Sequence, residues 1–309
     1  MDLSTSRVAV TGATGFIGRY LVRALLERDA TVVAAVRNPD RVPSMRAAGV
    51  EMRRADLADP DALADAFAGC DAVISNAGMV SIGAKGRREL MAINAAGTRN
   101  VFGAIHAAGV RRALMTSSVS AYRRKWRHEY TEDDELMDER ERVPRPLYYA
   151  QSKAAAERQA WRVAEQHGIE LSVARPGGVY GAFDQTGFTS WMLRFMRVPL
   201  VSVFPTRLHI PSVYAGDLAE AMVRMLERPE TVGRAYNLTG PEDVSFWHLL
   251  EAYREAGGSV PRFVVPLPVP LRFRYSTERA ERELGFENRS AIEAFRELLA
   301  LEAEPALAA

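Results

Sequence analysis

The chain has 309 residues, 48% hydrophobic and 26% charged, which is ordinary globular composition and long enough for one large domain or a nucleotide-sized domain with a smaller lobe. Its 40 basic residues against 39 acidic leave a net charge of +1, so no electrostatic case exists for nucleic acid or an anionic membrane as partner. No apolar run approaches the ~20 residues of a spanning helix, no leader is expected before the first strand, and the single Cys70 excludes an internal disulfide and fits a reducing cytoplasm.

Val8 to Thr11 reads as a short strand that turns into a helix over Ile17 to Glu27. The turn is Thr11-Gly12-Ala13-Thr14-Gly15-Phe16-Ile17-Gly18. There Gly12 permits a tight turn, Gly15 lets backbone approach a pyrophosphate, and Gly18 lets helix and strand pack closely. The N–H groups of the helix start form an anion site, so Gly12, Thr14, Gly15, Phe16, Ile17 and Gly18 are expected against a dinucleotide. A second strand, Val32 to Val36, ends in Arg37, 19 residues after Gly18, where an NAD site usually carries an acid. A guanidinium there suits the 2′-phosphate of NADP (NADPH), with Arg41 as a helper and NAD the less favoured cofactor. The alternative for Arg37 is a solvated charge at a strand end.

Val50 to Arg53 is the third strand, and Asp56 and Leu57 just past it are placed to meet an adenine. Asp61 to Phe67 is helical, Ala72 to Ser75 is the fourth strand, and Asn76, Ala77 and Gly78 follow it, placed under the adenosine ribose. A long helix over Arg87 to Ala108, a strand over Ala113 to Ser117, a helix over Tyr149 to His167 and a strand over Glu170 to Ala174 complete the alternation. Strand and helix alternating in this way give a doubly wound α/β parallel sheet covered on both faces. After Pro176 the pattern becomes Pro/Gly-rich and irregular, and Pro266, Pro268 and Pro270 forbid a central strand or helix over Arg262 to Arg272. The division expected is a dinucleotide-binding domain over 1–175, with return segments near 208–240, and a substrate-binding lobe over most of 176–309.

These pieces, with Asn94-Ala-Ala-Gly-Thr98, Thr116-Ser117-Ser118, Tyr149-Ala-Gln-Ser-Lys153, Arg175-Pro-Gly-Gly-Val-Tyr-Gly181 and Ala235-Tyr-Asn-Leu-Thr-Gly240, resemble the extended short-chain dehydrogenase/reductase family. They run in that family's order over about 240 residues. The resemblance implies a Rossmann-type fold with a smaller C-terminal substrate lobe and a nicotinamide cofactor contacted also by Thr116, Pro176, Gly177, Gly178 and Val179.

Tyr149 and Lys153 stand four apart on a helix and so share a face. An ammonium beside a phenol lowers its pKa from ~10 towards neutrality, making Tyr149 the proton donor to a carbonyl oxygen. Tyr148, five from Lys153, is turned away from it. The resemblance implies that Ser118 holds the substrate oxygen, that Lys153 also contacts the nicotinamide ribose, and that Asn94 relays protons through water; Asn94 can equally tie helix to strand. Only three lysines occur (Lys85, Lys125 and Lys153), which marks Lys153 as a place where an amine was wanted.

Family variants narrow the reaction. Val119 and Ser120 follow Ser118, so the acid that dehydratases and decarboxylases place there is missing, and Gly178 stands where epimerases often carry Asn. The Val-Arg-Asn-Pro strand end and the turn after Arg175 look most like dihydroflavonol-4-reductase-like and 3β-hydroxysteroid-dehydrogenase-like members, which act on ketones and alcohols of ring-containing or hydrophobic substrates. Ser75-Asn76-Ala77-Gly78 departs from the extended branch and resembles the shorter one. The basic run Arg123 to Arg127 reads either as an anion receptor or as a solvated loop. Phe183, Phe188, Trp191, Met192 and Phe195 read either as an apolar lid or as lobe core, and His209 as a packed histidine. No metal is expected, since no cluster has ligand spacing.

The expectation is an NADP(H)-dependent ketone or aldehyde reductase with a small-molecule substrate. A sugar-nucleotide epimerase with bound NAD and a non-catalytic NADP-sensing regulator are the alternatives. The helices over Arg87 to Ala108 and Tyr149 to His167 imply, with the resemblance, a homodimer.

Overall fold

A computed structural model describes residues 1–303, apart from 82–84, 185–186, 241–243, 268 and 270, and without the side chains of Arg41 and Phe204. In chain order the first elements are β1 (Arg7–Thr11), α1 (Phe16–Leu26), β2 (Thr31–Val36), α2 (Pro43–Ala47), β3 (Glu51–Arg54), α3 (Pro60–Phe67) and β4 (Ala72–Ser75). Then come α4 (Arg87–Leu90), a π-helical turn (Met91–Ala96), α5 (Gly97–Ala107), β5 (Arg112–Thr116), β6 (Glu129–Tyr130), α6 (Tyr148–His167) and β7 (Glu170–Pro176). The remainder is β8 (Gly178–Tyr180), α7 (Phe188–Met196), β9 (Val201–Phe204), β10 (Ser212–Tyr214), α8 (Ala215–Glu227), β11 (Ala235–Leu238), α9 (Phe246–Glu255), β12 (Phe263–Pro266), β13 (Arg274–Tyr275), α10 (Glu278–Leu284) and α11 (Ala291–Ala303).

Seven strands form one sheet in the order β11-β7-β5-β4-β1-β2-β3. The pairings of β1 with β2 and β4, β2 with β3, β4 with β5, and β5 with β7 are all parallel. Chain order reverses between β1 and β4, which is the switch point where doubly wound sheets open a crevice beyond their strand ends. The strands are apolar on both sides because helices cover both faces. On one face Val33, Val73, Met115 and Val173 pack with Leu63 and Phe67 of α3, Phe102 and Ile105 of α5, and the alanines 156, 160 and 164 of α6. Small side chains on α6 let it lie close to the sheet. Beyond α1, Arg28 pairs with Glu220 and Glu227 of α8 at 2.5 and 2.8 Å.

The chain divides into two compact units. The first comprises Met1–Arg124, Glu132–Arg175 and Ala219–Tyr236, so its return begins at 219 rather than near 208, and it gives up Lys125–Thr131 to the second. The second unit contains three two-stranded parallel pairs, β8 with β10, β9 with β12 and β6 with β13. Its centre is aromatic, with Tyr180 5.3 Å from Phe295 and Tyr253 5.2 Å from Phe295. Phe188 and Trp191 pack on Phe246 and Met192 is fully buried, so the apolar stripe of α7 is in large part core of this unit. The Pro-rich segment after Arg262 does form β12, a strand of a two-stranded pair that ends on Pro266. Among the described residues no helix is long and apolar enough to cross a membrane.

Candidate active site

The loops after β1 and β4 meet at the switch point. Thr11 accepts, through its hydroxyl, the backbone N–H groups of Asn76 and Ala77, each at 3.1 Å. Gly12 has φ +68, and a Cβ on it would lie 2.8 Å from Cα of Ala77, so only glycine keeps the two loops this close. A Cβ on Gly18 would meet the Gly12 carbonyl oxygen at 2.1 Å, which fixes how near α1 comes to the turn. The helix α1 starts after Gly15, which provides no side-chain cap, so its first N–H groups keep their capacity for an anion. Phe16 and Ile17 are half-buried in this first turn and Thr14 is half-buried beside it.

Past β2, Arg37 is exposed, and its guanidinium has no ion-pair partner among the described residues. The side chain of Arg41 lies outside the described residues. Arg54 ends β3 in register with Val36, so a second exposed guanidinium stands at the same sheet edge. Arg54 belongs to no motif in the sequence, although it lies only two residues before Asp56. Asp56 accepts from the N–H of Ala58 at 2.9 Å, and the Leu57 carbonyl accepts from Asn100 at 2.8 Å, which pins this loop to α5.

Ser118 caps the short turn Val119–Ala121, its hydroxyl 2.9 Å from that of Ser120. The Ser118 hydroxyl lies beside the Tyr149 phenol and favours its ionised form. Burial pushes Tyr149 up to about 12, against the opposing effect of Ser118. Lys153 is 8% exposed and donates to the Thr116 carbonyl at 2.6 Å, and burial lowers it to about 8, with Glu157 acting in the other direction. This differs from the expected lowering of the phenol by the ammonium. Desolvation is the largest influence on the Tyr149 phenol, and the lysine's hydrogen bond goes to backbone.

Asn94 lies in the π-helical turn and is 2% exposed. Its amide accepts from the N–H of Met79 at 2.8 Å and donates to the Met79 carbonyl at 3.0 Å and to Ser152 at 2.9 Å. These contacts are those of a tie between the loop after β4, the turn and α6. Thr116 donates to the side-chain oxygen of Asn76 at 3.0 Å. A Cβ on Gly78 would come within 3.9 Å of the Lys153 ammonium, so the loop after β4 and the Tyr149–Lys153 face adjoin. In the second unit, Pro176 ends β7, while Gly177 donates to the Leu238 carbonyl at 3.1 Å and Gly178 to that of Pro211 at 2.9 Å. Val179 pairs with Val213 across β8 and β10.

Part of the basic run is neutralised, since Arg123 pairs with Glu135 and Glu141. No group of three or more potential ligands for a metal ion occurs among the described residues. The residues present fit a nicotinamide dinucleotide: an uncapped helix start behind glycines for the pyrophosphate, Arg37 exposed at the edge with no ion-pair partner among the described residues, and buried Lys153 with half-buried Tyr149 where β5 ends.

The sequence profile of the NAD dependent epimerase/dehydratase family matches residues 8–239. The chain is 34% identical over 245 residues to cinnamoyl-CoA reductase 1 of Petunia hybrida, covering 75% of this chain and 72% of that protein. It is 29% identical over 305 residues to dihydroflavonol 4-reductase of Zea mays, covering 90% of this chain and 83% of that one. In fold it resembles yeast methylglyoxal/isovaleraldehyde reductase, with a TM-score of 0.81 over 97% of this chain and 99% of that chain at 19% identity. The chain belongs to the NAD-dependent epimerase/dehydratase family, the extended branch of the short-chain dehydrogenases/reductases, and is an NAD(P)-dependent oxidoreductase of that family.

Proposed function

We propose that the protein is an NADPH-dependent reductase of a ketone or aldehyde on a small, ring-containing substrate, able to oxidise the corresponding secondary alcohol when concentrations favour it. The observation that carries this reading is the Tyr149 phenol beside the Ser118 hydroxyl, with Lys153 buried one turn along the same helix and bonded to the Thr116 carbonyl at the end of β5. The two hydroxyls together can receive one carbonyl oxygen. Ser118 orients it, and Tyr149, held protonated by burial, donates the proton. Lys153 supports the proton transfer as an ammonium and holds the ribose. A bound nicotinamide supplies the hydride. Arg37, helped by Arg54, favours the 2′-phosphate of NADPH. The names of the two plant relatives, both reductases, support carbonyl reduction, and Gly178 weighs against a sugar-nucleotide epimerase. The second unit is read as the substrate-binding lobe.

The test is NADPH consumption, followed by absorbance, with dihydroflavonols, cinnamoyl thioesters, small aldehydes and sugar nucleotides offered in turn. Turnover of a ring-bearing carbonyl is the expected result. Tightly held NAD in the purified protein, with interconversion of sugar nucleotides, would replace this reading.

A further inference from the structure

Glu157 lies one turn beyond Lys153 on α6 and is fully buried. Its carboxylate accepts from Arg175 Nη2 at 2.6 Å and from Arg175 Nε at 3.1 Å to each oxygen. It also accepts from Ser117 Oγ at 2.6 Å and from Trp161 Nε1 at 3.2 Å. Arg175 in turn donates to the Tyr122 hydroxyl at 2.8 Å and the Glu132 carbonyl at 2.9 Å, with its guanidinium 4.9 Å from the centre of the Tyr122 ring. A buried ion pair stabilises a fold poorly compared with apolar residues of the same volume, so its place one turn from Lys153 calls for another role.

The groups around Lys153 show what that role is. Tyr149 and Glu157 are the ionisable groups that flank it on α6. What β5 offers is the Thr116 carbonyl, and what the loop after β4 brings near is Gly78. The charge that acts on Lys153 is that of Glu157, which opposes the effect of burial. Arg175 keeps Glu157 ionised, holding it below the usual carboxylate range although burial works to raise it.

We propose that Glu157 is a positioning residue for the proton-transfer pair: its carboxylate, locked by Arg175 and Ser117, is the buried anion that keeps Lys153 an ammonium and ties the Ser117–Ser118 segment to α6. Its consequence for turnover rests on the reading of Tyr149 and Lys153 given above; its effect on Lys153 does not.

With three lysines in the chain, Lys153 can be titrated directly by carbon-13 NMR of the lysine side chains in the full-length protein, assigned by the signal lost in Lys153→Arg. The double variant Glu157→Gln/Arg175→Gln removes the anion without leaving its cation buried alone. The expected result is a Lys153 midpoint lower by about one pH unit or more, while Glu157→Asp, which keeps the charge, stays near the wild type. The alkaline limb of kcat in NADPH-dependent reduction moves to lower pH with that midpoint. A midpoint unchanged in the double variant overturns the proposal. So does a wild-type midpoint below about 6, the range of buried lysines with no compensating anion, and this measurement needs no variant to fold. A midpoint that moves while the kcat profile stays fixed upholds Glu157 and sinks instead the catalytic assignment of Lys153.

Discussion

Lys153 donates to the Thr116 carbonyl and titrates near 8, whereas the Tyr149 phenol is pushed up to about 12, so over ordinary pH only the lysine changes charge. On the proposed mechanism the active form needs the ammonium, which exists below its midpoint. Reduction is therefore expected to be level in acid-to-neutral buffer and to fall as pH rises through about 8. A pH profile of kcat checks this, and a rate that climbs through that region assigns control to a different group. On the same mechanism Tyr149→Phe removes the proton donor, so turnover should drop roughly 10²–10⁴-fold with little change in NADPH affinity. For the proposed NADPH preference, Arg37→Asp would take away a charge-assisted hydrogen bond to the 2′-phosphate worth about 1.5–3 kcal/mol and set a like charge against it. The preference should pass from NADPH to NADH, with NADPH binding weakened roughly ten- to a hundredfold. Titration by tryptophan fluorescence reads both, and an unchanged ratio would make Arg37 a surface charge only.

The turn from β1 into α1 concentrates most of what the cofactor reading requires. A Cβ at position 18 collides with the Gly12 carbonyl at 2.1 Å, a backbone atom that cannot swing away. Gly18→Ala should cost about 1–3 kcal/mol, seen as a lower urea midpoint, and weaken the dinucleotide site with it. Strand and helix ranges in this half were legible because apolar spacing and glycine placement are local properties. The stretch Arg87 to Ala108 reads as one helix, yet it carries a π-helical turn at Met91–Ala96. The bonds of Asn94 to Met79 and Ser152 that accompany the turn come from other segments, so the local spacing carries no mark of them. For the same reason Asn94 matched a motif, while its contacts became visible only in three dimensions.

Across the molecule, α5 and α6 pack side by side on one face of the sheet, and we propose that they also form a homodimer contact. Light scattering on the purified chain should give twice the chain mass, and a monomer at assay concentration would remove that proposal. The order of the glycine turn, Ser118, Tyr149 and Lys153 along the chain, and the parallel α/β architecture, were determined by the sequence, since each depends on spacings within one element or one turn. Tertiary structure alone decided the rest. It placed Arg54 at the sheet edge beside Arg37, because β2 and β3 pair in that register. It gave Lys125–Thr131 to the second unit, because β6 pairs with β13 far along the chain. It joined Glu157 of α6 to Arg175 of β7 and Ser117 after β5. Such partnerships arise from which strands and helices become neighbours once the sheet closes, and a local pattern of residues holds no record of its neighbours.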